Sequence, residues 1–174
     1  MITPIREIWT PTNVEKPVSF IIHSRNTAEM WLSPKNTPFI VISIHTPGSE
    51  RPVFPNDPNR VNTLYLQFHD EVAPNTRHTE TILMSEEQAQ EVVKFVKHYV
   101  VNDLNSSLPK IDLIMIHCEA GVSRSAGVAS GLSYWLNETD EYFIQSPFFR
   151  PNALCRKLII EAAMGRPDYA KIFA

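Results

Sequence analysis

One short segment near the middle of the chain places a thiol, a glycine and a guanidinium close together. Residues 117–125 read HCEAGVSRS, so that five residues separate Cys118 from Arg124. Gly121 permits a backbone turn that other residues resist, and the surrounding N–H groups can turn inward to bind an anion. Arg124 adds a planar fork that can hold two phosphate oxygens. These residue types at this spacing indicate a phosphate-binding loop with a nucleophile at its base.

The same positive field favours the thiolate form of Cys118, because cysteines at helix N-termini and beside cations ionise readily. A thiolate can attack phosphorus and form a phosphocysteine. Ser125 is expected to donate a hydrogen bond to the sulfur and help it leave in a second step. His117 is expected to order the loop by hydrogen bonding to the backbone. The segment therefore predicts two-step hydrolysis of a phosphate monoester.

HCEAGVSRS resembles the HCxxGxxR[S/T] signature of the protein tyrosine phosphatase superfamily, and most of all that of its small dual-specificity branch. The resemblance implies a phosphatase that needs no metal or cofactor, with Cys118 as the nucleophile. It also implies that the phosphate oxygens are held by Arg124 and by the loop residues Glu119, Ala120, Gly121, Val122 and Ser123. The expected substrate is phosphotyrosine in a protein or peptide, with phosphoserine and phosphothreonine as further substrates.

Such enzymes also need a general acid, since the leaving oxygen must be protonated. In the family an aspartate follows a strand upstream of the signature, and here Asp70 follows the segment TLYLQF (63–68). Asp70 is the preferred candidate, Glu71 the second and Asp57 the third. The stretch between Asp70 and Cys118 is longer than a minimal dual-specificity domain requires, which predicts an insertion around residues 73–83.

The segment after the signature helix offers a weaker match. The family often has a Pro-Asn pair that opens the next helix, and Pro151-Asn152 fits it. The resemblance implies that the Asn152 side chain braces the phosphate loop, and the same side chain can cap the helix. Cys155, on an apolar helix face, is expected to be a core residue. Its alternative role is a disulfide partner for oxidised Cys118.

Alternating strand and helix patterns surround these motifs. Apolar or alternating runs predict strands at 19–23, 39–44, 63–68 and 111–116. Helical spacing predicts helices from a capping box at 85–88 to about 101, at 125–136 and at 152–164, with one or two helical turns at 27–32 and a last turn at 168–173. Residues 46–62 are expected to form a long loop, and 140–150 a connector. Two glycines in the helix at 125–136 cost helix propensity, which close packing would offset.

This order predicts an α/β fold with a central, mostly parallel twisted sheet of about four to five strands flanked by helices. The whole chain, 1–174, is expected to be a single phosphatase domain with an extended lead-in at 1–17. In such sheets sites form beyond the carboxyl ends of the strands, which is where Cys118 stands.

Composition narrows the class of protein. The 174 residues carry a net charge of −3, with 43% apolar and 20% charged residues, as in an ordinary globular domain. A net negative chain argues against nucleic acid or an anionic membrane as its main partner. The sequence lacks a long apolar span and a signal-peptide pattern, and it has two cysteines. These features predict a cytoplasmic protein; a monomer is expected, although the sequence itself does not give the oligomeric state.

Two alternatives remain open at this point. The first is a phosphatase that acts on RNA 5′ ends, nucleotides or phosphoinositides. The variable loop positions Glu119, Ala120, Val122 and Ser123 hold no lysine or arginine, whereas lipid-directed members of the resembled family tend to place lysines there; the resemblance therefore disfavours a lipid substrate. The second is a phospho-binding module without turnover, which the presence of both Cys118 and Arg124 disfavours. Four basic residues, placed in loops, are candidates for the rim of the pocket: Arg51, Arg60, Arg77 and His78.

Overall fold

Four short strands form a parallel sheet at the centre of the molecule. A computed structural model describes residues 6–75, 77, 80–101 and 109–165. The strands are β1 (Ser19–His23), β2 (Phe39–His45), β3 (Arg60–Gln67) and β4 (Leu113–His117). Their spatial order is β1-β4-β2-β3, and every pairing is parallel. β2 and β4 are buried along their whole length, as expected for central strands covered on both faces.

Helices cover the sheet on both faces. They are α1 (Arg25–Ala28), α2 (Glu86–Val96), α3 (Arg124–Asn137), α4 (Glu141–Gln145) and α5 (Ala153–Met164). A π-helical turn, Lys97–Val101, extends α2. The predicted capping box is confirmed, because Ser85 Oγ accepts from the Gln88 N–H at 3.1 Å and Gln88 Oε1 accepts from the Ser85 N–H at 3.0 Å.

Two apolar clusters hold the layers together. The larger lies between the sheet and helices α2, α3 and α5, and the smaller lies between the other face of the sheet, α1 and Trp31. Helices α3 and α5 approach very closely, since a methyl group placed on Gly127 would lie 2.5 Å from the carbonyl oxygen of Asn152. The glycines of α3 therefore allow α3 and α5 to pack closely, and this packing was expected to offset the low helix propensity of glycine.

The predicted boundaries differ from the structure at several places. β3 begins at Arg60 and not at 63, because pairing with β2 extends it into the expected loop. The first helix spans 25–28 and not 27–32, since Ser24 Oγ accepts from the Thr27 N–H and caps it there. The expected connector at 140–150 contains α4. The last turn expected at 168–173 lies outside the described residues.

Parallel pairing brings the carboxyl ends of all four strands to one edge of the sheet. β1, β2 and β4 each end on a histidine there: His23, His45 and His117. Cys118 directly follows β4, and Asp70 stands three residues beyond β3. The two segments with expected chemistry thus begin at the same edge. Within the described part of the chain, no helix is long and apolar enough to cross a membrane.

Candidate active site

The nucleophile candidate lies at the base of a tight loop between β4 and α3. Cys118 is 2% exposed. Its Sγ lies 3.2 Å from the Gly121 N–H, which donates to it, and 3.1 Å from Ser125 Oγ. A backbone amide and a hydroxyl thus converge on one sulfur. This arrangement stabilises negative charge on the sulfur, because hydrogen bonds to the charged form favour it.

The backbone of the loop is turned by Gly121 at its centre. Gly121 has φ of 69°, in the left-handed region that glycine adopts at little cost. A methyl group placed on it would lie 2.6 Å from the carbonyl carbon and oxygen of His23. The position therefore needs glycine for two reasons, its dihedral angle and the close passage of β1.

Arg124 opens α3 and points back toward the sheet edge. It is 6% exposed, and its Nη1 donates to the Phe68 carbonyl at 2.8 Å and to Thr46 Oγ1 at 3.2 Å. Phe68 and Thr46 each directly follow a strand, β3 and β2. These two partners were not predicted from the sequence. The signal was their position just past a strand, where parallel pairing gathers such residues at one edge.

His117 joins the loop to the neighbouring strand. Its Nδ1 donates to the Cys118 carbonyl at 3.1 Å, and its Nε2 lies 2.6 Å from Ser43 Oγ. Because a carbonyl only accepts, Nδ1 carries the proton and Nε2 accepts from the serine hydroxyl. Burial lowers the pKa of His117 to about 4. The imidazole is therefore neutral and fixed in one tautomer beside Cys118.

His23 is a second buried histidine, and together with His117 it is expected to lower the free energy of unfolding at acidic pH. Burial also lowers the pKa of His23 to about 4 from 6.5, with smaller effects of the Arg6 and His117 charges. The unfolded chain takes up protons near pH 6.5 and the folded chain only near pH 4. Stability from each histidine is thus present above pH 6.5 and is lost as pH falls toward 4, on the order of 3 kcal/mol apiece.

His23→Phe should therefore flatten the dependence of unfolding free energy on pH. Phenylalanine keeps the ring contact with Trp31, whose centroid lies 5.3 Å from that of His23. The expected change is a slope lower by up to about 1.4 kcal/mol per pH unit between pH 6.5 and 4, measured by urea unfolding. His98→Phe, at an exposed position, is the matched control. An unchanged slope in His23→Phe would contradict the assignment.

Among the three candidate acids, Asp70 contacts the phosphate loop. Its Oδ1 accepts from Ser123 Oγ at 2.7 Å and from Asn152 Nδ2 at 3.0 Å, and Oδ2 accepts no hydrogen bond from the described residues. Glu71 meets the site through its backbone carbonyl, which accepts from Asn152 at 3.2 Å. The exposed Asp70 carboxylate is thus the one held at the mouth of the loop.

Asp57 is held elsewhere. It is 9% exposed, and its two carboxylate oxygens accept from the backbone N–H groups of Ser33 and Asn59, both at 2.9 Å. These contacts join the loop before β3 to the segment after α1. Because β3 begins near Asp57 and ends near Asp70, Asp57 stands toward the amino end of the sheet, away from Cys118.

Asn152 braces the site differently from the expectation. Its backbone N–H, not its side chain, donates to the phosphate loop, at Ser123 O and 3.0 Å. The side-chain Nδ2 holds Asp70 and the Glu71 carbonyl, while Oδ1 accepts from the Cys155 N–H at 3.0 Å and caps α5. Asn152 therefore links α5, the acid candidate and the loop.

Cys155 is a buried free thiol on α5. It is 1% exposed, and its pKa is raised, chiefly by burial and further by the charges of Asp70 and Cys118. Both cysteines are free in the structure, and the alternative of a disulfide with oxidised Cys118 stays a prediction. The environment of Cys155 is that of an unreactive core residue.

The four basic residues that were candidates for the rim of the pocket lie in different parts of the structure. Arg51 packs over the Tyr65 ring at 4.1 Å. The pKa of His45 is lowered by burial and by the charges of Arg25, Arg51 and Arg124. Arg77 lines a groove with Glu71 and His69.

Arg60 opens β3 at the amino edge of the sheet, and its assignment to the rim was wrong because parallel strands place that end opposite the site. His78 lies outside the described residues. Among the described residues, no group of three or more His, Cys, Asp and Glu side chains is placed to hold a metal ion.

Comparison with known proteins bears on the fold. A scan against models of known families matches none of them, and a search of curated protein sequences finds no relative. The structure is similar to a human tyrosine phosphatase-like serine/threonine/tyrosine-interacting protein, with a TM-score of 0.52 at 15% identity, over 88% of this chain and 92% of that one.

Two further solved structures are similar at the same level. A mouse putative dual specificity phosphatase complexed with zinc tungstate matches with a TM-score of 0.53 at 14% identity, over 87% of this chain and 86% of that one. PTPMT1 in complex with PI(5)P matches with a TM-score of 0.54 at 14% identity, over 87% and 94%. The chain therefore has the single-domain α/β fold of the dual-specificity branch of the protein tyrosine phosphatase superfamily.

Proposed function

We propose that this protein is a cysteine-dependent phosphatase that hydrolyses phosphate monoesters through a phosphocysteine intermediate, within a single domain spanning 1–174. The observation that carries the proposal is the convergence on one loop of three groups. Cys118 lies at its base, Arg124 at its end, and the Asp70 carboxylate hydrogen-bonds to its Ser123 at 2.7 Å. A nucleophile candidate, an anion-binding guanidinium and an acid candidate thus lie on or against one loop, as covalent phosphoryl transfer requires.

In the first step the Cys118 thiolate attacks phosphorus. The S–P bond forms as the bond between phosphorus and the leaving oxygen breaks, and Asp70 gives its proton to that oxygen. Arg124 and the loop amides hold the equatorial phosphate oxygens, whose charge is compensated where it develops. Because both hydrogen bonds to Asp70 end on Oδ1, Oδ2 is the oxygen assigned to carry the proton.

In the second step water attacks the phosphocysteine. Asp70, now ionised, accepts a proton from the water, the P–O bond forms, and the P–S bond breaks. The electron pair of that bond returns to sulfur as a thiolate. Ser125 Oγ, 3.1 Å from the sulfur, donates to the departing thiolate and lowers the barrier for its release. Inorganic phosphate is the product, and the free enzyme is regenerated.

The proposed substrate is phosphotyrosine in a protein. Cys118 is almost fully buried at the base of its loop, so a phosphate on a long aromatic side chain reaches the sulfur more readily than one on serine. The loop itself carries no cation before Arg124, and its Glu119 carboxylate pairs with Arg25 at 3.4 Å. The similar structure of PTPMT1 holds the phosphoinositide PI(5)P, so lipids belong in the test.

Turnover of a panel of substrates tests the proposal. We expect phosphate release from an aryl phosphate and from a phosphotyrosine peptide, with kcat/KM at least about 10-fold higher for that peptide than for phosphoserine and phosphothreonine peptides, PI(5)P vesicles or RNA 5′ ends; tenfold corresponds to 1.4 kcal/mol of discrimination. A higher kcat/KM for PI(5)P vesicles or RNA 5′ ends would contradict phosphotyrosine as the substrate and assign a lipid or RNA substrate instead. Binding of phosphopeptide without any turnover would identify a phospho-binding module instead.

A further inference from the structure

The carbonyl groups of the phosphate loop are held by several different segments. The Arg25 N–H donates to Glu119 O at 3.0 Å, the Arg150 N–H to Val122 O at 2.9 Å, and the Asn152 N–H to Ser123 O at 3.0 Å. Backbone thus satisfies three of the five carbonyls between Cys118 and Arg124. The remaining two belong to Ala120 and Gly121, at the centre of the loop.

A single side chain from the N-terminal segment holds these two carbonyls. Arg6 Nη1 donates to Gly121 O, and Arg6 Nη2 donates to Ala120 O at 3.4 Å. The guanidinium fork suits this task, because its parallel N–H groups can contact two acceptors at once. Arg6 was not predicted as a site residue, since a lone arginine far from the signature carries no recognisable pattern.

The N-terminal segment is anchored where it can place Arg6. Trp9 and Phe20 exchange two backbone hydrogen bonds, at 2.8 and 2.9 Å. The Trp9 ring stacks on Tyr142 with centroids 4.6 Å apart. The Arg6 guanidinium itself lies over the Phe149 ring, 5.6 Å from its centroid. The side chain thus reaches the loop from an aromatic platform formed by β1, α4 and the segment before α5.

By holding the Ala120 and Gly121 carbonyls, Arg6 also sets the direction of the backbone N–H groups that follow them. A trans peptide is planar, so its C=O and N–H point in opposite directions. Fixing Ala120 O therefore directs the Gly121 N–H, which points at Cys118 Sγ at 3.2 Å. Fixing Gly121 O in the same way directs the Val122 N–H. These two amides belong to the set proposed to bind phosphate.

The charge of Arg6 acts in the same direction. Burial lowers the pKa of Arg6, and the negative charge of Cys118 opposes this effect. Arg6 donates to Gly121 O, and the N–H of Gly121 donates to Cys118 Sγ, so the guanidinium adds positive potential behind the loop. The hydrogen bonds of Arg6 and its positive charge therefore both favour binding of an anion on the inner side of the loop.

We propose that Arg6 is a positioning residue of the phosphate loop, which holds the Ala120 and Gly121 carbonyls outward so that the neighbouring amides face the bound phosphate. The inference rests on the proposed phosphatase function and adds to it a residue outside the signature. Its effect is on binding of the phosphoryl group, in the ground state and in the transition state.

Arg6→Met tests the inference, with inorganic phosphate as a competitive probe of the loop. We expect the Ki for phosphate and the KM for an aryl phosphate to rise about 10-fold to 100-fold, the range expected when hydrogen bonds from a charged group are lost. Arg6→Lys should give an intermediate rise of about 3-fold to 10-fold, because an ammonium lacks the planar fork. Lys16→Met, at an exposed position of the same segment, is the control for loss of one charge.

The outcomes separate this inference from the proposed function. An Arg6→Met protein with a wild-type Ki overturns the inference, provided that the wild type binds phosphate and turns over. If Arg6→Met does not fold, Arg6→Lys decides, and a wild-type Ki there overturns it equally. A wild type that neither binds phosphate nor turns over refutes the proposed function. A raised Ki with an unchanged Tm, partly restored by lysine, supports positioning over a general effect on stability.

Discussion

Replacing Cys118 with serine is expected to abolish turnover of phosphate monoesters while phosphate binding is retained. The hydroxyl of serine is a far weaker nucleophile at neutral pH than a thiolate. The amides of the loop and Arg124 are expected to remain in place, since the serine hydroxyl can accept the Gly121 N–H that the sulfur accepts. The expected loss in kcat is roughly 10⁴-fold or more, on the scale seen when hydrolases lose their nucleophile.

The measurement combines steady-state turnover with direct detection of the intermediate. Mass spectrometry of the wild type, quenched during turnover of an aryl phosphate, should show one phosphoryl group on the peptide containing Cys118. The Cys118→Ser variant should show none and should still bind a phosphotyrosine peptide. Cys155→Ala is the matched control, because it removes the other buried thiol and should retain activity. Wild-type turnover by Cys118→Ser would refute the mechanism.

Replacing Asp70 with asparagine is expected to produce the second largest loss. Asparagine keeps the shape of the side chain and an acceptor oxygen for Ser123 and Asn152, but it cannot donate an acidic proton. The expected fall in kcat for a phosphotyrosine peptide is about 10²-fold to 10⁴-fold, the usual contribution of a general acid. Aryl phosphates with more acidic leaving groups need less protonation, so the fall should shrink as leaving-group acidity rises.

The dependence on pH gives an independent readout of the same residue. In the wild type, activity should fall at high pH as the general acid loses its proton, and this limb should be absent in Asp70→Asn. Glu71→Gln and Asp57→Asn are matched controls. Glu71→Gln should keep the limb, because its side chain is not held at the loop. If the limb disappears in Glu71→Gln and persists in Asp70→Asn, the acid assignment moves to Glu71.

Local sequence patterns predicted most of the secondary structure. The bounds of β1 were predicted at 19–23, where the structure has them, and the capping box of α2 is present. These features depend on residues close in the chain, such as alternating apolar side chains or a serine three residues before a glutamine. The start of β3 was missed because Arg60 and Asn62 are polar, and pairing with β2 outweighs their low strand propensity.

The sequence alone determined the signature segment and hence the expected nucleophile, anion-binding loop and reaction type, because all of these residues lie within nine consecutive positions. The tertiary structure decided the rest. The order β1-β4-β2-β3 brings Thr46, Phe68 and Asp70 to the edge where Cys118 stands. It also places Arg6 against the loop from 114 residues away in the chain. Such contacts depend on strand order and helix packing, which no local pattern encodes. The residues that contact HCEAGVSRS could therefore be identified only from the tertiary structure.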